Sequence, residues 1–200
     1  MPPEVRKATE AETGAVARTL ASAFQPDPVF SWVLPDPERR AAVLDPAFAL
    51  FLRRIWLALG ETYTAGDADG AAVWHPPGHW KQSLGEQLRL LPGFARVWGR
   101  STPRALRSLT ALERGHPSEP HFYLAVMGVA PERQGRGLGS MLMHPVLSRC
   151  DEEGIPAYLE ASTPRNRALY ERHGFVTTSE DRIARGAPPV WRMWRDPRPV

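Results

Sequence analysis

An α/β sandwich on a mixed sheet is the fold class that this sequence predicts, and three observations carry it. Short runs of aliphatic and aromatic residues alternate with longer segments whose apolar positions recur every three to four residues. One apolar run passes through a glycine-rich turn at 135–139 straight into an amphipathic segment. The 200 residues, 42% hydrophobic and 24% charged, have ordinary globular composition and fit one domain, 1–200, with little room for a second.

Val5 opens a short strand that ends near Ala8. Thr9 follows as a helix N-cap, with Glu12 at the capping-box spacing, and the helix runs to about Phe24 with Val16, Leu20 and Phe24 on one face. Residues 25–37 hold four prolines and read as a loop. A second helix fills 38–59, with Val43, Phe48, Phe51, Leu52 and Ile55 inward; Pro46 should kink or split it. Strands at 62–65 and 71–74 flank the turn Gly66-Asp67-Ala68-Asp69-Gly70, and His75-Pro76-Pro77-Gly78 ends the second. Residues 82–114 read as two helices broken near 99–103. A strand at 121–129, a helix at 138–153 that Pro145 should kink, a strand at 157–161 and a short helix at 164–173 follow. A strand starts at 175–178, and 190–194 is the last.

Several function classes are excluded early. The formal net charge is +3, and all basic residues except Lys7 and Lys81 are arginines. They are dispersed among acids rather than gathered in a stripe, so no nucleic acid partner is expected; Arg104, Arg107 and Arg114 read as a solvated helix face. The single cysteine, Cys150, excludes a disulfide framework and a Cys-based zinc site and fits a reducing cytoplasmic location. It falls on the apolar face of the helix at 138–153, where an inert buried thiol is expected. The first seven residues lack the apolar core of a signal peptide, and no run approaches 18 apolar residues, so no membrane partner is expected. No linked set of histidines and carboxylates suggests a metal.

The chemistry is concentrated in Gly128-Val129-Ala130-Pro131-Glu132-Arg133-Gln134-Gly135-Arg136-Gly137-Leu138-Gly139-Ser140. Three glycines alternate over five positions, which leaves few side chains in the way and lets successive N–H groups converge on an anion. The helix N-terminus behind them adds unpaired N–H groups and the positive end of a dipole. Together they can cradle a pyrophosphate, with Arg133 and Arg136 adding charge from the rim. The Gly-Lys-Ser/Thr of a P-loop is absent, and the spacing G-x-G-x-G is not the dinucleotide fingerprint.

The spacing Gln134-x-x-Gly137-x-Gly139 after an apolar strand resembles the acetyl-CoA signature of the GCN5-related N-acetyltransferases. So do Leu159-Glu160-Ala161-Ser162, Asn166, and Leu169-Tyr170-Glu171-Arg172-His173-Gly174-Phe175. Within that family the chain is similar to the puromycin N-acetyltransferases, densely after about residue 120 and loosely before it. The resemblance implies a mixed, mostly antiparallel central sheet of six to seven strands, flanked by helices and splayed at the acetyl-CoA site. It implies acetyl-CoA as cosubstrate, held by Gln134, Gly135, Arg136, Gly137, Gly139 and Ser140. Backbone groups of the splayed strand near Met127, Gly128 and Val129 would pair with the pantetheine amides, one of them donating to the acetyl oxygen, and Gly128 would permit close approach there.

Acyl transfer from a thioester to an amine needs a neutral amine, a donor for the carbonyl oxygen, an acid for the leaving thiolate, and both substrates held together. Tyr170 is the expected acid, since a phenol is protonated at neutral pH. Asn166 and Tyr170 stand four residues apart and share a helix face; Ser162 or Thr163 can cap that helix, Pro164 starts it and Gly174 ends it. The resemblance places Asn166 on the CoA arm and Tyr170 beside the sulfur. The base has three readings. Glu160 could act through water or be structural. His121 has the right intrinsic pKa but could be an exposed strand end, and His75 could face the acceptor pocket or lie in a loop.

The implied reaction is acetylation of a primary amine on a small molecule, with an aminonucleoside or other antibiotic among the candidates. A protein N-terminus or lysine as acceptor, and a non-catalytic acyl-CoA-binding protein, are the alternatives. Acceptor specificity should reside in 25–37 and 80–114, where Trp32, Trp80 and Trp98 fall; with Trp56 and Trp74 they could form core or stack on a flat acceptor. The strand at 190–194 could pair across a homodimer or lie within its own sheet.

Overall fold

The computed structural model describes residues 3–199. Seven strands form one sheet in the order β1-β2-β3-β4-β5-β7-β6. They are β1 (Val5–Lys7), β2 (Thr62–Ala65), β3 (Gly70–His75), β4 (Phe122–Val129), β5 (Ala157–Ala161), β6 (Val176–Arg182) and β7 (Pro189–Arg195). Only β4 and β5 run parallel; the other neighbours are antiparallel. The sheet is therefore mixed and mostly antiparallel, as expected. β7 lies between β5 and β6 with both edges paired, so the edge pairing across a homodimer considered for residues 190–194 does not use this strand.

The helices are α1 (Thr13–Phe24), α2 (Pro28–Val33), α3 (Pro37–Phe51), α4 (Leu84–Trp98), α5 (Thr102–Arg114), α6 (Leu138–Glu153) and α7 (Pro164–Arg172). Alternation along the strands divides the core. Ala72 and Trp74 of β3 face α6 and α7 with Leu142, Val146, Cys150 and Phe175, whereas Ala71 and Val73 face α1 and α3 with Leu20, Leu44, Phe48 and Trp56. A third cluster, which includes Val33, Val43, Phe94, Trp98 and Ala105, binds α2 and α3 to α4 and α5.

Two expectations are corrected in the front half. Residues 25–37 are not wholly loop. Asp27 caps α2 by accepting from the N–H groups of Val29 (2.9 Å) and Phe30 (3.0 Å), and Pro28 opens the helix. Asp36 and Pro37 repeat the device at the start of α3. The prolines that read as helix breakers thus stand at first helical positions. Nor does Pro46 split its helix: α3 continues to Phe51, and the change comes afterwards as a wide turn, with the Leu57 N–H bonded to the Leu52 carbonyl.

Candidate active site

The site begins where β4 loses its neighbours. The parallel ladder pairs Phe122, Tyr123 and Leu124 with Ala157, Tyr158 and Leu159 and then stops. On the other side β3 pairs Val73 with Val126 and Trp74 with Leu124, so Ala125 is one residue extra, a bulge. From Ala125 onward β4 offers its backbone to a gap rather than to β5. This is the expected splay, and it starts two residues earlier than Met127.

At the far end of the gap, Val129 leads into the turn and α6. Asp27, Asp36, Ser83 and Thr163 cap their helices with side-chain oxygens, but α6 starts on Gly137 with no side-chain cap. Its first intrahelical bond is from Met141 N–H to Gly137 O, so the N–H groups of Leu138, Gly139 and Ser140 lack intrahelical partners. Gly135 and Gly137 hold φ of 76° and 81°, and nothing lies within 4 Å of where a Cβ would stand. An open turn with unpaired donors at a helix N-terminus suits a pyrophosphate.

The side chains of the turn have fixed partners. Gln134 donates Nε2–H to Val129 O (3.1 Å) and accepts from Arg165 (3.2 Å), which fastens the turn to both β4 and α7. Arg133 pairs with Asp69 of the β2–β3 turn at 3.1 Å, while Arg136 is exposed. Ser140 Oγ bonds His173 Nε2 at 2.9 Å, so only its N–H faces the turn. Gly139 brings α6 against α7, since a Cβ would stand 3.3 Å from Leu169. Gly128 corrects an expectation. A Cβ there would stand 2.9 Å from Ala23 Cβ and 3.1 Å from Leu20, so the glycine admits α1 to the sheet rather than a ligand.

Helix α7 carries the next groups. Thr163 Oγ1 caps it at Asn166 N–H (3.1 Å), Pro164 occupies its first position, and Gly174 follows with φ of 91°. Ser162, Asn166 and Tyr170 follow at four-residue steps, and all three line one cavity of about 310 Å³. Ser162 donates to the Asp27 carboxylate, which joins α7 to α2. Among the described residues, neither the Asn166 side chain nor the Tyr170 hydroxyl has a hydrogen-bond partner. Burial, and then the Asp27 charge, push the Tyr170 phenol well up, so it is protonated at neutral pH. Burial likewise raises the Asp27 carboxyl.

The same cavity runs from Met127 past Ala125 to His75, Trp80, His116, Tyr123 and Glu160, under a wall from α2, α3, α4 and α5. Glu160 is held at both oxygens, by Tyr158 (2.8 Å) and Tyr123 (2.9 Å), with Arg192 at 3.6 Å. Arg192 in turn pairs with Asp181 and reaches the Leu112 carbonyl of α5. Burial raises the Glu160 carboxyl against these bonds. His121 is buried rather than exposed at its strand end, and it lies behind His116 instead of lining the cavity. Its Nδ1–H donates to Glu119 O (2.6 Å), which leaves Nε2 to accept from His116 Nε2–H at 2.9 Å. His116 stacks on Trp80 at 3.8 Å, and burial followed by His121 lowers it to about 3. Sequence reasoning missed His116 and Asp27; Asp27-Pro28, an N-cap followed by a proline, was the available signal for the latter. Cys150 is fully buried, and burial pushes its thiol up to about 12, the inert group expected.

These features fit acetyl-CoA: donors for a pyrophosphate, an unpaired strand for an amide arm, and Asn166 and Tyr170 at the junction with a cavity. The comparisons agree. The model of the acetyltransferase (GNAT) family matches residues 93–175. An uncharacterised N-acetyltransferase of Schizosaccharomyces pombe is 30% identical over 171 residues, 80% of this chain and 69% of that protein. A crystal structure from Corynebacterium glutamicum, described as histone acetyltransferase HPA2 and related acetyltransferase, shares 27% identity over 100% of this chain and 99% of its own, with a TM-score of 0.75. Arylalkylamine N-acetyltransferase 2 from Aedes aegypti shares the fold at a TM-score of 0.65 and 13% identity, over 97% of this chain and 98% of its own. No described helix is long and apolar enough to cross a membrane. An open turn with unpaired donors, a splayed sheet and a relative similar along most of both chains converge: the chain belongs to the GCN5-related N-acetyltransferase family and is an acetyltransferase.

Proposed function

We propose that this enzyme, with residues 1–200 as one N-acetyltransferase domain, transfers acetyl from acetyl-CoA to the primary amine of a small molecule with an apolar, ring-bearing body. The carrying observation is the lining of the cavity. Phe24, Phe30, Phe48, Phe51, Phe94 and Trp98 supply aromatic walls. Asp27, Glu113 and Glu160 supply carboxylates, and among the described residues no lysine or arginine lines it. Such a wall attracts an ammonium group and shelters an apolar body. The volume, about 310 Å³, falls at the small end of ligand pockets. That favours a small molecule over a peptide, which needs an open groove.

Acetyl-CoA supplies an acyl carbon open to attack and a thiolate leaving group. Gln134, Gly135, Arg136, Gly137, Gly139 and Ser140 frame the pyrophosphate, largely through N–H groups. The backbone of Met127, Gly128 and Val129 faces the pantetheine arm with Asn166 opposite, and an N–H of this strand donates to the acetyl oxygen. Tyr170, kept protonated by burial, delivers a proton to the departing sulfur. Glu160 holds Tyr123 in the cavity wall, and the His121–His116 pair supports the Trp80 face.

The test is thiol release from acetyl-CoA by the purified protein, with puromycin first in a panel of arylalkylamines, agmatine and short peptides. Release that requires an apolar amine supports the reading. Release with peptides alone replaces it with protein acetylation, and silence with retained CoA affinity replaces it with a binding protein.

A further inference from the structure

The reaction must discharge the acceptor's ammonium, and most groups in the cavity are already engaged. Both oxygens of Glu160 accept tyrosine hydroxyls. Asp27 accepts two backbone N–H groups and the Ser162 hydroxyl. His121 is screened by His116, and its Nε2 already accepts a hydrogen bond from the His116 Nε2–H. His75 differs. It ends β3, is 3% exposed, and lines the cavity. Its Nδ1 lies 3.1 Å from the His79 carbonyl, which can only accept, so Nδ1 carries the ring proton. In the neutral ring Nε2 is then a bare lone pair, and it is buried with no hydrogen-bond partner. A buried acceptor without a partner is costly and calls for a donor.

The position suits the task. His75 pairs across the sheet with Tyr123, and their rings meet edge to face with centroids 5.7 Å apart. Tyr123 lies two residues before Ala125, where β4 leaves β5 and the gap opens. We infer that His75 is the catalytic base, its Nε2 taking the proton of the bound ammonium directly or through one water. This inference rests on the proposed amine acceptor. One N–H bond of the ammonium breaks toward Nε2, the freed lone pair forms the C–N bond as C–S breaks, Tyr170 protonates the sulfur, the second nitrogen proton passes to the Tyr170 oxygen and restores the phenol, and the imidazolium returns its proton to solvent. The groups facing His75 are His79 beyond β3, His116 beyond α5, and Tyr123 on β4 with Glu160 behind it. Burial, the largest effect, holds the imidazole below its ordinary value, so it is neutral and competent at neutral pH.

Two measurements test this. In His75→Gln, kcat/KM for the amine should fall about 100-fold or more while KM for acetyl-CoA holds. The acidic limb of the wild-type pH profile, set below the ordinary histidine range, should vanish in the variant. A kcat/KM within about threefold of wild type overturns the assignment. Independently of turnover or of the variant's folding, ¹⁵N NMR of the histidine-labelled wild-type protein at neutral pH should find the His75 ring neutral and protonated at Nδ1. A charged ring, or a proton on Nε2, overturns it. If no amine in the panel is acetylated, the acceptor reading fails, while the NMR result still decides the state of His75.

Discussion

Between Val129 and Ser140 the protein presents its backbone; between Phe24 and Glu113 it presents side chains. In the first region the groups facing the site are N–H donors on an open turn, and Gly135 and Gly137 lie where a Cβ would touch nothing. In the second, the starts of α2, α3 and α4 are closed by their own carboxylates and hydroxyls, and the wall of the site is a set of rings. The difference teaches how a shared donor and a particular acceptor can be handled by one fold. A phosphate needs only positioned N–H groups, which local sequence dictates. An acceptor body needs shape, which arises from packing among distant segments.

The largest expected effect lies where the two regions meet. Tyr170→Phe should lower kcat about 100-fold or more, with acetyl-CoA affinity nearly unchanged. Thiol-release kinetics beside equilibrium binding of CoA read both. Retained kcat would make Tyr170 a packed aromatic and leave the donor region without a proton source. Next come two glycines that differ in backbone conformation and in their neighbours. Gly137→Val forces a β-branched residue to positive φ, costs about 1–2 kcal/mol, and should raise KM for acetyl-CoA about tenfold. Gly128→Ala should cost about 1–3 kcal/mol by overpacking against Ala23 and Leu20. Any protein that folds should bind acetyl-CoA normally. Melting curves and CoA binding separate the two, and equal effects on binding would erase the distinction drawn between backbone for ligand and backbone for packing.

What the sequence made legible follows the same division. The order of the strands along the chain, the start and end of α7, the turn and the alignment of Asn166 with Tyr170 rest on interactions within a few residues, and sequence periodicity reports such interactions. The bulge at Ala125 and the end of the β4–β5 ladder arise between strands far apart in sequence. Asp27-Pro28 carried a local signal that the count of prolines around it masked. His116 had none: its place depends on Trp80 and His121 meeting across a fold that pairs residues 36 and 5 positions away. Gly128 was read as permitting a ligand's close approach because a glycine in a strand leaves room beside the backbone, whereas its side of the strand faces α1.

On the acceptor side, Phe51 tests whether the rings act on the amine alone. It stacks on Trp56 at 5.2 Å and meets Phe94 at 6.1 Å, and it is only partly buried. Phe51→Ala removes apolar contact worth about 1.5–3 kcal/mol. KM for an apolar amine should rise about tenfold or more while KM for acetyl-CoA stays within experimental error. A matching rise in both would show that the walls are not functionally separate.

The smallest expected effect concerns a helix start that no ligand uses. Glu12 accepts from Thr9 N–H (3.0 Å) and Thr9 Oγ1 (2.8 Å), and both Arg6 nitrogens reach it, at 2.6 and 2.9 Å, so it joins β1 to α1. The Arg6 hydrogen bond first, and then Thr9, lower its carboxyl to about 2. A carboxyl depressed on folding stabilises the fold above its unfolded value, about 4.3, and that contribution disappears as the pH falls through the folded value. Glu12→Gln should therefore cost about 1 kcal/mol near neutrality, and the gap between wild type and variant should close between about pH 4.5 and 2. Acetyl-CoA and amine kinetics should not move, because this helix start is closed by its own side chains. The N-terminus of α6 is open, and an equal kinetic loss on disturbing either would mean that the capped and uncapped ends are not functionally distinct.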